Sequence, residues 1–313
     1  MSPFARTTFS SNGYSRTGMA ASGFPGPPLA CVSLIASRYS ADSASRYLAR
    51  YSVQFRGFGA ALFRRFSMHL YSRVGVVAVL AALAIPLSAQ NTGQMMDVAS
   101  GGKMYASYLS AGPGPGRKPG IVLIHSFNGL EQGYKDMADR FAADGFVVLA
   151  AGWQTFEKSP SDEVVGRLVR DSIAVLKARS DVDPNRIGLT GFCAGGRYTM
   201  LFLPVINDFA AGVAWYGFPN NGGSAAQPVK PIDEIDQLQH PLLMIHGSAD
   251  QASPIAGIFQ YATALQKAGK YFELKVYQGL PHGFMVQNGQ LWKTDQANDA
   301  YTQMVTFFKR KLG

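Results

Sequence analysis

Cysteine is nearly absent from this sequence: Cys31 and Cys193 are the only two in 313 residues. A disulfide framework needs more than that. Cys31 sits in a segment that reads as removable, so Cys193 is a lone thiol, for which the ordinary role is a small buried hydrophobe. Acidic residues are nearly missing from the N-terminal arm. Residues 1–73 hold nine Arg and one acid, Asp42, whereas the rest of the chain carries 20 basic and 19 acidic side chains. Of the net charge of +9, +8 therefore belongs to the arm and +1 to the rest. A nucleic-acid-binding domain gathers its basic residues on the folded part, and that class is excluded. No pair of histidines has metal-ligand spacing on a common helix or turn, so no metal is expected. No internal repeat of solenoid length is present.

A long hydrophobic run is missing too. Val74 to Leu87 is fourteen residues without a charge, about 21 Å of helix against a hydrocarbon core of roughly 30 Å. The run follows Met68-His-Leu-Tyr-Ser-Arg73 and closes on Ser88-Ala89-Gln90. A basic start, a short apolar stretch and a small-residue exit describe a secretory signal peptide at 68–89, cleaved after Ala89. Residues 1–67, rich in Ser, Arg, Gly and Pro with no sustained period, read as a disordered extension from a mis-assigned upstream start. An Arg- and Ser-rich, acid-poor arm also fits a transit peptide, and the apolar run also fits an uncleaved anchor. The expectation is a secreted or periplasmic protein with no stable membrane span once the signal is removed. The alternatives are an organellar or a membrane-anchored one.

Beyond residue 95 the pattern becomes regular. Ile121–Ile124, Phe146–Ala150, Arg186–Thr190, Ala211–Trp215, Pro241–Ile245 and Phe272–Tyr277 are short, mostly apolar runs bounded by turn residues. Such runs suit strands buried on both faces of a parallel sheet. Helical stretches lie between and after them at Tyr134–Ala143, Asp162–Arg179, Ile255–Ala268 and Thr294–Lys311. The last carries Tyr301, Met304, Val305 and Phe308 on one stripe. Ser161 or Asp162 caps the second. Alternating strand and helix predict an α/β fold, a mostly parallel twisted sheet with helices on both faces, over residues 95–313. Gly112-Pro-Gly-Pro-Gly116 precedes a strand where a dinucleotide loop would follow one, so no cofactor is expected.

The chemistry centres on Gly191-Phe192-Cys193-Ala194-Gly195, between a predicted strand and a helix starting near Gly195. A nucleophile placed on a strained strand-to-helix turn needs small residues two before and two after it, so that the chains can pass. The side chain then projects over a helix N-terminus, and the dipole together with the Ala194 N–H favours negative charge on the sulfur and on a substrate oxyanion. Asp250 follows the strand at 241–245, and His282 follows the last strand. Nucleophile, acid and base in that chain order, each just past its own strand, point to a Cys193–Asp250–His282 triad. His125 and His246 are expected to hydrogen-bond nearby loops, and His240 to lie in solvent.

With these residues in view, the stretch from about 95 to 313 resembles the dienelactone hydrolase family of the α/β-hydrolases. Gly191-Phe-Cys-Ala-Gly-Gly196 matches the family's Gly-x-Cys-x-Gly-Gly segment, and Asp250 and His282 match its acid and base. The resemblance implies that the loop after Ile121–Ile124 supplies a second oxyanion N–H, on Phe127. It also implies two departures: Ser126 stands where the prototype has a glutamate contacting the resting cysteine, and Val286 where it has a substrate-binding arginine. Val286 would add an apolar wall. Arg167 and Arg170 lie near a further prototype arginine without a secure match, and Arg167 or Arg197 could restore an anion site. The function expected is hydrolysis of small esters or lactones by a monomer, through acyl transfer to Cys193. The rivals are a catalytically silent ligand-binding domain, against which the strained elbow argues, and a thioesterase or peptidase with the same triad. Specificity is expected in the loops around Trp153–Pro160 and Trp215–Pro231.

Overall fold

Residues 93–313 are described by the structure, a computed structural model. The proposed extension at 1–67 and signal at 68–89 lie outside the described residues. The chain runs β1 (Gln94–Ser100), β2 (Lys103–Ala111), β3 (Lys118–Ile124), α1 (Gln132–Ala143), β4 (Val147–Ala151), α2 (Asp162–Lys177) and β5 (Val182–Phe192). It continues with α3 (Ala194–Val205), β6 (Ala211–Trp215), a 3-10 helix (Pro231–Gln237), β7 (Leu242–Gly247), α4 (Ile255–Lys267) and β8 (Phe272–Tyr277). A short hairpin, β9 (Val286–Gln287) and β10 (Gln290–Leu291), leads to α5 (Asp295–Leu312).

Eight strands form one sheet in the order β1-β2-β4-β3-β5-β6-β7-β8. The pairs β1–β2 and β2–β4 are antiparallel, and from β4 to β8 every pair is parallel. The central strands are apolar at nearly every residue because successive side chains enter opposite layers. Val122 and Ile124 pack with α2, α3 and α4 on one face, while Ile121 and Leu123 pack with α1 and α5 on the other. Each such aliphatic side chain taken out of water contributes about 1.5–3 kcal/mol. Helices on both faces and a mostly parallel sheet are the architecture the sequence pattern predicts.

Of the two candidate caps for α2, Ser161 is the one used: its Oγ accepts the Val164 N–H at 3.3 Å. Asp162, in the first turn, is thereby free for another partner. The β1–β2 hairpin escapes the periodicity reading because its outer strand is half exposed, with Met95 and Asp97 turned to solvent. Among the described residues no helix is long and apolar enough to cross a membrane.

Candidate active site

Because β3 to β8 are parallel, the loops that follow them gather along one edge of the sheet, and that edge carries the site. Strand β5 ends at Phe192 and α3 begins at Ala194, leaving Cys193 alone on the turn between them at φ 58, ψ −114. A non-glycine residue in that region costs on the order of 1–3 kcal/mol and persists only where the surroundings impose it. The surroundings here are crowded. A Cβ on Gly191 would lie 2.1 Å from the Gly195 carbonyl oxygen, and one on Gly195 would lie 2.0 Å from that of Ile124. The small residues at both positions are what let α3 turn back against β3 and β5.

Strand β7 ends at Gly247 and delivers Asp250, which is 3% exposed. His282 comes from the loop after β8 and donates its Nδ1–H to Asp250 Oδ2 at 2.7 Å. Burial alone would push the Asp250 carboxyl up in pKa, but it is held below its ordinary value by His282 and by the Ser253 N–H. That N–H lies 2.7 Å from Oδ1, and the Ala252 N–H lies 2.9 Å from it. For His282, burial works against the charged form. Asp250 and the nearby Cys193 outweigh it, and the imidazole is pushed up to about 9. Its Nε2 is buried and makes no hydrogen bond of ordinary geometry, yet the Cys193 side chain is near enough to help raise the imidazole. The ring is wedged between Tyr216, 5.0 Å away, and Phe218, 5.3 Å away. The three residues singled out in the sequence are thus brought together, with a carboxylate fixing one imidazole nitrogen and the other left free beside a thiol.

Two of the other described histidines bond to nearby loops. His125 donates Nδ1–H to Ser126 O at 2.8 Å, and burial lowers its pKa to about 4. His246 donates Nε2–H to Ser253 O at 2.8 Å, and the same nitrogen lies 3.5 Å from Asp250 Oδ2. That second contact with the acid has no sequence signal beyond the spacing i, i+4. His240 is half-buried rather than in solvent, and burial depresses its pKa.

A cavity of about 410 Å³ opens beside Cys193, lined by Phe127 and Ala194 and by residues of the two loops expected to carry specificity, among them Pro160, Phe218 and Asn221. Neither the Phe127 nor the Ala194 N–H has a hydrogen-bond acceptor among the described residues. Three expectations about the anion site need correction. Val286 does not wall the cavity: it is buried in the core, where the β9 backbone turns it toward Gly133 of α1. Arg167 lies on the surface, paired with Glu163 at 2.6 Å. Arg197 lines the cavity but is committed elsewhere. Its guanidinium holds Asp162 through two bonds of 2.7 and 2.9 Å and donates to the carbonyls of Asn221 and Val229. Ser126, the glutamate's counterpart, accepts the Asn128 N–H on its Oγ at 3.1 Å and so braces its own loop.

Comparison with known proteins decides the family. The model of the dienelactone hydrolase family matches residues 106–155 and 151–312. The chain belongs to that family. A Methylorubrum extorquens protein provisionally named carboxymethylenebutenolidase is 29% identical over 210 residues, 61% of this chain and 72% of that protein. The protein usf of Aquifex pyrophilus is 28% identical over 240 residues, 70% of this chain and 99% of that protein. Among solved structures, a Klebsiella pneumoniae protein provisionally named dienelactone hydrolase superposes with a TM-score of 0.64 at 23% identity, covering 70% of this chain and 98% of that one. The α/β-hydrolase fold and membership of a hydrolase family are thereby established for this dienelactone hydrolase relative.

Proposed function

We propose that this dienelactone hydrolase family member is a carboxylic-ester hydrolase that works through Cys193, His282 and Asp250. The observation that carries the reading is the His282 ring, fixed at Nδ1 by Asp250 and left unpartnered at Nε2 beside a thiol on a strained turn. Cys193 and His282 act as one couple: with a single proton held between Sγ and Nε2, the sulfur attacks the ester carbonyl and the proton stays on His282. The N–H groups of Ala194 and Phe127 hold the oxyanion. As the tetrahedral intermediate collapses, the C–O bond breaks and His282 returns the proton to the leaving alcohol. A water deprotonated by His282 then cleaves the thioester, releasing the acid and restoring the thiol. Asp250 keeps the tautomer throughout. Turnover of a panel of aryl esters and lactones, abolished by iodoacetamide, tests this reading; turnover that survives full alkylation of Cys193 rejects it.

The pH profile follows from the raised pKa of His282. A proton held up to about pH 9 is available to the leaving group throughout the neutral range, so kcat/KM should fall on the alkaline side as pH passes about 9, a limb that belongs to the Cys193–His282 couple. The same shift makes the charged His282–Asp250 pair stabilise the fold fully below the unfolded value, an advantage lost as pH rises through about 9. An alkaline limb at the ordinary histidine value would contradict the assignment.

Substrate charge is the second point. Arg197, the cation among the lining residues, is neutralised by Asp162, and the prototype's arginine is replaced by a valine that does not reach the cavity. Losing an Arg–carboxylate contact removes about 1.5–3 kcal/mol, roughly 10–100-fold in binding. Neutral aryl esters should therefore show a higher kcat/KM than the anionic dienelactone at equal ionic strength. A clear preference for dienelactone would overturn this part of the reading.

A further inference from the structure

The loop Trp153–Pro160 is fastened to the loop after β3 at three points. Trp153 Nε1 donates to His125 O at 3.2 Å, and its ring stacks on the His125 imidazole at 5.2 Å. Gln154 Nε2 donates to Phe127 O at 3.1 Å and to Lys158 O at 2.7 Å. Lys158 Nζ donates to the same Phe127 O at 2.5 Å and stands 4.7 Å from the centre of the Phe127 ring. One carbonyl thus holds two side-chain donors, one of them charged and both from the neighbouring loop.

We infer that Lys158 is a positioning residue for the oxyanion loop, acting through the Phe127 carbonyl; the inference rests on the acyl-transfer reading above. The two peptide groups flanking Phe127 are rigid planes joined by that residue's φ and ψ alone. Its carbonyl belongs to one plane and its N–H to the other. Pinning the carbonyl with Lys158 and Gln154 narrows the directions the N–H can take relative to Cys193. An oxyanion donor is effective only within about 2.7–3.1 Å of the developing charge, so a small drift of this loop weakens transition-state binding more than substrate binding. Lys158 is exposed, and an exposed polar tie adds little to global stability. Its effect should therefore appear in turnover and not in unfolding.

Lys158→Met keeps the aliphatic stem over the Phe127 ring and removes the donor and the charge, while Lys158→Arg keeps both. With a saturating neutral aryl ester, Lys158→Met should lower kcat about 10-fold, below the roughly 10²–10³-fold expected for deleting an oxyanion donor outright. KM should stay within about threefold, the melting temperature within about 2 °C, and Lys158→Arg should recover most of the loss. Adding Gln154→Leu to Lys158→Met should deepen the loss in kcat. Wild-type kcat in Lys158→Met alongside an inactive Cys193→Ala would reject the inference and leave acyl transfer standing. A loss confined to KM, or one that arginine does not recover, would also reject it. Full activity in Cys193→Ala would remove both readings together.

Discussion

Cys193→Ala should lower kcat by about 10⁴-fold or more while leaving the protein folded, because members of a nucleophile–base unit act together and no neighbouring side chain can replace the sulfur. The fold should tolerate the change. Alanine meets the same backbone strain at φ 58 and loses a single sulfur from a half-buried site. Cys193→Gly gives a sharper control. Glycine relieves on the order of 1–3 kcal/mol of strain at this position, against an entropic cost of about 0.5–1 kcal/mol. It should be equally inactive and at least as stable as the alanine variant. Strain kept in the native protein but removable without loss of fold marks the turn as shaped for chemistry. Turnover retained in either variant, with contaminating esterase excluded, would remove the central claim; denaturant midpoints settle the stability comparison.

Arg197→Met should destabilise the protein by about 3–5 kcal/mol, the usual consequence of leaving one partner of a buried ion pair uncompensated. The side chains of Arg197 and Asp162 are 3% and 11% exposed, so solvent does little to screen the carboxylate left behind. Combining Arg197→Met with Asp162→Leu should recover much of that loss, since two apolar residues of similar volume often replace a buried pair without cost. Activity should not return with stability. Arg197 also holds the carbonyls of Asn221 and Val229, and the Asp162 N–H reaches Ala226 O at 2.8 Å. The Arg197 bonds help tie the 221–229 segment to the body beside the cavity and are lost in the double variant, which should keep a raised KM. Urea unfolding and steady-state kinetics on the single and double variants test this together. A single variant as stable as the wild type would mean that the pair is solvated after all.

How much of the site was legible depended on whether its signal lay along the chain. The Cys193 turn was legible because its cysteine and two glycines fall within five consecutive residues. Asp250 and His282 were legible because each follows an apolar strand, and parallel strands carry their following loops to a common edge. The arginines were not legible in the same way. Arg197 looked like a possible anion site, yet its partner Asp162 lies 35 residues away, and their meeting depends on how α2 and α3 pack on one face of the sheet. Val286 looked like a cavity wall from its place four residues beyond His282, but the β9–β10 hairpin turns it inward against Gly133. His246 bonds a nearby loop as expected, but its contact with Asp250 gave no sign, nor did Gln154 and Lys158 as ties to Phe127, because many residue types can donate to a carbonyl.

By itself, the sequence determined the layered α/β architecture and picked out the three positions proposed here as the triad. Burial on both faces writes a continuous apolar run, and a strained turn writes a glycine on either side. Only the tertiary structure decided which charges remain available to a substrate and which are spent within the protein. Charge pairing is settled by distances of a few ångströms between segments far apart in the chain, and neither composition nor periodicity carries those distances. The cavity beside Cys193 therefore has an arginine in its lining and yet offers its substrate no free positive charge from it.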